Sequence, residues 1–284
     1  MPMTSRREFL KSSTAGLSAY GILPAIACPG PSAGGQQNPG SDKLRIGMAG
    51  YTFHNYTVDQ TIDIMQQVNV HSLSIKDFHL PLDSSPEKIA EVLGKFRSAG
   101  IVVYAAGVIY MKTPAEADLA FDYARRIGVD MIIGSPSYEL LPYVASKLKS
   151  HEMRMAIHNH GPEDKSYPGP GDIYKRIIDL DPRLGICLDI GHAVRAGVDP
   201  VKAVSDYSAR IFDLHIKDVY EASPEDKPAI VGRGIIDFPG LVTALRKIGF
   251  SGSCSIEFEL PVKDPMPGIA ESVGFFRGVV KAVG

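Results

Sequence analysis

The sequence predicts an α/β fold, a (β/α)8 TIM barrel, on three observations. From Leu44 onward, short apolar segments alternate with stretches of helical periodicity, the pattern of βαβ units around a parallel sheet. Eight such segments can be counted, the number a closed barrel needs. No stretch after Ser41 is richer in Gly and Pro than an ordinary loop, so residues 44–284 are expected to form one domain.

The expected strands centre on Leu44–Met48, Ser72–Ile75, Val102–Ala106, Met131–Ile133, Met155–His158, Gly185–Asp189, Ile211–His215 and Ser253–Phe258. Between them the helices mark their own starts. Ser85-Pro86-Glu87 offers an N-cap followed by Pro at the first helical position, and Asp199-Pro200 repeats the device. Thr113 and Glu116 have the spacing of a capping box. Ile89, Leu93 and Phe96 in one helix, and Leu119, Tyr123 and Ile127 in the next, recur at helical spacing and are expected to cover the barrel wall.

The first 43 residues follow another logic. Ser5-Arg6-Arg7-Glu8-Phe9-Leu10-Lys11 resembles a twin-arginine export signal, and the apolar run that follows, Leu17 to Ala27, is too short to span a bilayer. Residues 1–27 are therefore expected to be a leader and the mature protein to be exported to the periplasm. Ala25-Ile26-Ala27-Cys28 loosely resembles a lipobox, which would make Cys28 a lipid anchor; the alternative is cleavage nearby with Cys28 lost. Residues 28–43, rich in Gly, Pro, Ser and Gln, read as a flexible tether. Cys187 and Cys254 fall inside expected strands and read as small buried hydrophobes, since three cysteines without Cys-x-x-Cys spacing make neither a disulfide framework nor a zinc knuckle.

Composition excludes several classes. With 44% apolar and 22% charged residues the 284-residue chain is neither disordered nor a membrane bundle. The leader holds Arg6, Arg7, Lys11 and Glu8, a net +2, so its removal takes the formal charge from -2 to -4. Such a surface has no general attraction for phosphate backbones, and nucleic acid is excluded as the expected partner.

The chemistry gathers where a barrel places its active site, at the C-terminal ends of the strands. Of the eight histidines, His79, His158, His160, His192 and His215 lie at or just after an expected strand end. The last four strands close on His158-Asn159-His160-Gly161, Asp189-Ile190-Gly191-His192, His215-Ile216-Lys217-Asp218 and Glu257-Phe258-Glu259. Side chains alternate with period two, so His158, Asp189, His215 and Glu257 can all point into the mouth while their neighbours pack outward. Two imidazoles and two carboxylates converging there suit one divalent metal ion. Imidazole favours manganese, zinc, cobalt or iron over magnesium. Strand-end hydrogen bonding within a structural polar layer is the competing reading of the same residues.

The segments LDIGHA, HIKD, GRGIIDF and SIEFE, taken in order, resemble the xylose isomerase-like superfamily of sugar isomerases, epimerases and related lyases, over essentially all of the chain after the leader. The resemblance implies metal ligation by Asp189, His215 and Glu257, a pocket lined by His192, a small carbohydrate as substrate, and barrels that pair as homodimers. One departure bears on mechanism: where many sugar epimerases of this group carry a Glu at the fifth strand, this chain carries His158. Keto-inositol dehydratases of the group resemble it in having histidines there. With one carboxylate fewer, symmetric two-base epimerisation loses a partner. Isomerisation by a single base, or β-elimination from a keto-sugar or keto-inositol, remains open, with Glu257 taking the proton and His160, Lys217 or Lys76 protonating an oxygen. Isomerisation or epimerisation next to a carbonyl is the leading expectation and a carbon–oxygen lyase the alternative. Lys76, His79, His192 and Tyr110 are candidates for contact with substrate, and Tyr51 and Phe53 for walls against a sugar ring.

Two rivals come from other classes. The Asp189-x-x-His192 and His215 segments also resemble the endonuclease IV branch of this fold, but Pro228-Ala229-Ile230-Val231 stands before Gly232 where that branch carries an Asp-x-His pair. A sugar-binding protein without turnover would use the same pocket; sugar affinity without metal is the observation that would favour it.

Overall fold

The structure, a computed structural model, describes residues 44–283. The expected leader, the tether and Cys28 lie outside the described residues.

The strands are β1 (Arg45–Ala49), β2 (Ser72–Ile75), β3 (Val102–Met111), β4 (Met131–Pro136), β5 (Arg154–His158), β6 (Leu184–Asp189), β7 (Ile211–Ile216), β8 (Asp218–Val219), β9 (Pro228–Ala229) and β10 (Ser253–Ile256). Eight of them close a parallel barrel in the order β1-β10-β7-β6-β5-β4-β3-β2, while β8 and β9 pair separately as a short antiparallel ribbon. Register brings the strand ends level: Asp189 pairs with His215, His215 with Ser255, and His158 with Cys187. Gly47 marks how tightly the lumen is filled, since a Cβ there would come within 2.7 Å of Ser253 Oγ and 2.8 Å of Ser255 Oγ. Ala156 and Cys187 lie two residues before His158 and Asp189 on the same strand faces, in a buried cluster with Ala105, Val108, Met131 and Ile133. This cluster forms the floor beneath the mouth. Cys187 and Cys254 are free and buried, as expected.

Outside the barrel run α1 (Val58–Gln67), α2 (Pro86–Ser98), α3 (Pro114–Ile127), α4 (Leu141–His151), α5 (Pro170–Ile177), α6 (Ile190–Arg195), α7 (Pro200–Asp206), α8 (Phe238–Lys247) and α9 (Met266–Val283). The predicted caps form: Ser85 accepts from Lys88 N, Asp199 from Val201 N and Lys202 N, and Thr113 with Glu116 completes a capping box. Thr57 and Gln60 make a second box ahead of α1. In α3 the expected wall stripe needs one correction. Tyr123 and Ile127 are buried, but Leu119 is 41% exposed, and the face that packs on the barrel adds Ala117, Ala120, Phe121 and Ala124. Burying a side chain the size of Phe121 contributes about 1.5–3 kcal/mol, so this stripe, more than helix propensity, holds α3 in place.

Candidate metal centre

Asp189 ends β6 and caps the helix that follows it, so one residue serves both the fold and the mouth. Its Oδ1 accepts from His192 N at 2.8 Å, closing the first turn of α6, while its Oδ2 turns inward. Its backbone is clamped by Asn159, whose Nδ2 donates to Asp189 O and whose Oδ1 accepts from Asp189 N, both at 3.0 Å. The neighbouring strands bring three more groups to the same point. His158 Nε2 lies 2.9 Å from His215 Nδ1, 3.5 Å from Asp189 Oδ2 and 4.0 Å from Glu257 Oε2, and His215 Nδ1 lies 3.0 Å from Glu257 Oε2. One ligand atom from each of the four falls within 4.8 Å of every other, and all four residues are buried.

Around this point three of the four donors are neutral or anionic, while Glu257 helps keep the fourth, His215, charged above its ordinary value against the pull of burial. Burial pushes the His158 imidazole down to about 3, which leaves it neutral. Burial alone would raise both carboxyls. Lys217 and His192 beside Asp189, and His215 and Lys217 beside Glu257, outweigh it and hold both well below the usual carboxylate range. Lys217 is the buried counter-charge: its Nζ lies 3.1 Å from Asp189 Oδ2, 2.9 Å from Glu257 Oε2 and 2.7 Å from Glu259 Oε2. Burial opposes the charge on Lys217, but these carboxylates keep it protonated well above the ordinary lysine value. Room for its stem comes from Gly191, where a Cβ would meet Lys217 Cβ at 2.8 Å. The four donors fit a divalent cation. Asp189 Oδ2 and Glu257 Oε2 turn to the same point as two ring nitrogens that, 2.9 Å apart, can share only one proton between them.

The other expected site residues divide by place. His192 stands behind Lys217, its Nε2 3.2 Å from Lys217 Nζ, and burial takes it down to about 4. The His160 ring lies tilted against His158, centroids 4.5 Å apart, and bonds Tyr110 Oη through Nε2 at 2.8 Å. Burial lowers its pKa, and Asp164, 3.1 Å from Nδ1, works the other way. Both His160 and His192 line a cavity of about 500 Å³ together with Tyr110, Lys112, Ser135 and Arg195. Lys76 Nζ donates to Asp77 Oδ1 at 2.8 Å and to Val108 O on the neighbouring strand at 2.9 Å.

His79 corrects an expectation. It is 6% exposed, and its Nε2 lies 2.9 Å from Tyr56 O and 3.2 Å from Thr61 Oγ1. It packs the segment after β2 against α1 and does not present itself to substrate. Phe53 is likewise core at 0% exposure, whereas Tyr51 is 43% exposed and stacks on His54.

Sequence reading missed Glu259, Asn159, Asp164 and the work of Asp218. The Asp218 carboxylate accepts from the backbone N–H groups of Val219, Gly232 and Gly234 at 2.9 Å and of Ile236 at 3.3 Å. That bonding is the physical content of the HIKD and GRGIIDF segments, which fold one loop around one carboxylate.

The sequence profile of the xylose isomerase-like TIM barrel family matches residues 78–279. The chain belongs to this family. Among similar proteins, the inosose dehydratase of Lacticaseibacillus casei is 27% identical over 127 residues, which are 39% of this chain and 43% of that protein. The chain thus matches less than half the length of that curated relative. A putative uncharacterized protein from Parabacteroides distasonis has a solved structure with a TM-score of 0.66 at 30% identity, covering 84% of this chain and 99% of that one. The IolI protein, solved with a bound zinc atom, superposes with a TM-score of 0.68 at 18% identity, covering 84% of this chain and 98% of its own. At that identity the likeness concerns the fold. Family membership agrees with the barrel.

Proposed function

We propose that this chain is a metal-dependent carbon–oxygen lyase, which removes the proton next to the carbonyl of a keto-sugar or keto-inositol and then expels the oxygen on the following carbon. The observation that carries the reading is that unlike proton-transfer groups stand on different parts of the mouth. The carboxylates of Glu257 and Glu259 both follow β10 and share Lys217, while beyond β5 and on β3 the groups are an imidazole and a phenol, His160 and Tyr110. Two carboxylates after one strand cannot flank a sugar ring from opposite faces, so a carboxylate-to-carboxylate epimerisation finds no support here. A base and a dissimilar acid are what elimination needs. The likeness to an inosose dehydratase supports the same reading.

In this account His158, Asp189, His215 and Glu257 would hold the metal, whose chemistry is to polarise the carbonyl and stabilise the negative charge that proton removal leaves on its oxygen. Glu257 takes the carbon-bound proton. Lys217 moves its hydrogen bond toward Glu259, already its nearest carboxylate, and so frees Glu257 to act as base. Asn159 and the α6 cap fix Asp189, and His192 steadies Lys217.

Isomerisation by a single base is the second reading. It is favoured by Glu259, which lies beside Glu257 and can return a proton on the face from which it came. Proton NMR in deuterium oxide, with an inosose and simple ketoses as probes, separates the two. Elimination gives deuterium uptake next to the carbonyl together with a product lacking one oxygen substituent; isomerisation gives uptake with the oxygen count unchanged. A metal-replete protein that exchanges no carbon-bound proton in any probe would overturn both.

A further inference from the structure

Elimination leaves an oxygen that needs a proton, and the groups that hold the metal site are unsuited to supply it. Ligand atoms of His158, Asp189, His215 and Glu257 close on one another, and Lys217 is enclosed by three carboxylates. Across the mouth stands a different group. Tyr110 lies near the end of β3, 58% exposed, and β3 is three strands from β10 around the barrel in one direction and five in the other. Its Oη is bonded to His160 Nε2 at 2.8 Å. The other ring nitrogen of His160 faces Asp164 Oδ2 at 3.1 Å, and Asp164 is fixed in turn by Ser166 N, which donates to its Oδ1 at 2.7 Å. The backbone N–H of His160 is tied to Tyr167 O at 2.9 Å, and Tyr167 is fully buried, with its hydroxyl on Pro136 O at 2.7 Å. The phenol is therefore the open end of a line of groups anchored in the wall, and it borders the cavity of about 500 Å³.

We propose that Tyr110 is the catalytic acid that protonates the departing oxygen, with His160 and Asp164 as positioning residues that aim its hydroxyl. The proposal rests on the elimination reading above. Glu257 takes the carbon proton and leaves the electron pair as an enolate; in a second step the carbonyl re-forms and the pair becomes the new carbon–carbon double bond. The carbon–oxygen bond breaks with its pair on oxygen, and that oxygen takes the phenolic proton. The His160–Asp164 pair fixes the place of Oη throughout. Because Tyr110 is open to solvent, water then restores its proton while Glu257 returns its own to water. The freed alcohol or water departs into the cavity beside Tyr110.

An acid that protonates a leaving group matters in proportion to how badly the group leaves, and a structural role has no such dependence. The probes are methyl and nitrophenyl 3-keto-glucosides, whose glycosidic oxygen is β to the proton removed at the carbon next to the carbonyl. For Tyr110→Phe the expected result is a loss of about 100-fold or more in methanol release, a change of less than about 5-fold in nitrophenol release, and undiminished deuterium uptake. Asp164→Asn is expected to show the same selectivity with a smaller loss. Equal losses for both leaving groups, or loss of deuterium uptake along with release, would overturn the role of Tyr110, as would a variant that releases methanol like the wild type. A wild type that exchanges the carbon proton but expels neither group would also overturn it while leaving the base and metal assignments standing. A wild type inert toward both probes in exchange and release would overturn the elimination reading and the role of Tyr110 with it.

Discussion

Replacing Asn159 by Ala removes a side chain that never touches the four facing donor atoms and yet sets the position of one of them. Asn159 is fully buried, and both of its polar ends are spent on the backbone of Asp189, at 3.0 Å each. In the variant a buried N–H and a buried C=O of Asp189 lose these partners. Each unsatisfied group costs about 1–3 kcal/mol, so the expected loss of folding stability is about 2–4 kcal/mol, the carbonyl being the cheaper because its second lone pair can be used elsewhere. The same change loosens the β6–α6 junction, where Asp189 Oδ1 holds His192 N and Oδ2 faces the other donors. Loss of a partner that orients a ligand typically lowers metal affinity by about 10–100-fold. Urea unfolding with a chelator present reads the first quantity, and competition with a chromophoric chelator reads the second. Asn159→Asp is the sharper control, since it keeps the acceptor for Asp189 N–H but sets an oxygen against Asp189 O. If Asn159→Ala unfolds within about 0.5 kcal/mol of wild type and binds zinc equally well, the clamp is not what positions Asp189.

Three further outcomes follow from the same geometry. Glu257→Gln should slow deuterium uptake next to the carbonyl by about 100-fold or more while substrate binding, followed by calorimetry, changes far less; equal uptake removes Glu257 as the base. In chelator-treated protein, His158 and His192 stay neutral down to about 3 and about 4, while their unfolded counterparts take up protons below about 6.5. Stability from these two groups is therefore complete above pH 6.5 and falls as the pH drops toward 4, by about 1.4 kcal/mol per unit for each. His215, held charged above its ordinary value, works in the opposite sense at higher pH, so urea midpoints that rise between pH 6.5 and 4.5 would contradict the assignment. Asp218→Ala deprives four loop N–H groups of their acceptor and should cost about 3 kcal/mol or more. It should also open the chain to trypsin at Arg233, which limited proteolysis followed by mass spectrometry would show; unchanged resistance would mean that other contacts hold the loop.

The barrel was legible because its information is periodic. Each expected strand centre falls on a strand, and the alternation that sends Asp189 and His215 inward also buries their neighbours Leu188 and Leu214 in the core against the helices. The limits lay where three-dimensional proximity has no local sign. β3 runs on to Met111 and so carries Tyr110 as a strand residue. β10 stops at Ile256, yet Glu257 N still donates to Ile216 O at 3.1 Å, which keeps the carboxylate on the barrel rim. Leu119 fitted a helical stripe because a spacing of four identifies a face without saying which way it points. His79 looked like a mouth residue because its partners, Tyr56 and Thr61, come from the preceding segment. Asn159 was hidden between two histidines, acting on a residue 30 positions away. Glu259 was visible in the SIEFE segment, but only the position of Lys217 shows that it shares a cation with Glu257.

The most direct test of the central claim is elemental analysis of the purified protein beside His215→Ala, after both have been equilibrated with zinc and desalted. About one divalent metal per chain is expected in the wild type, as four converging donors require, and a large loss in the variant with its circular dichroism spectrum retained. A variant that still holds one metal per chain, or a wild type that holds none, would contradict the assignment of His158, Asp189, His215 and Glu257 as a metal centre.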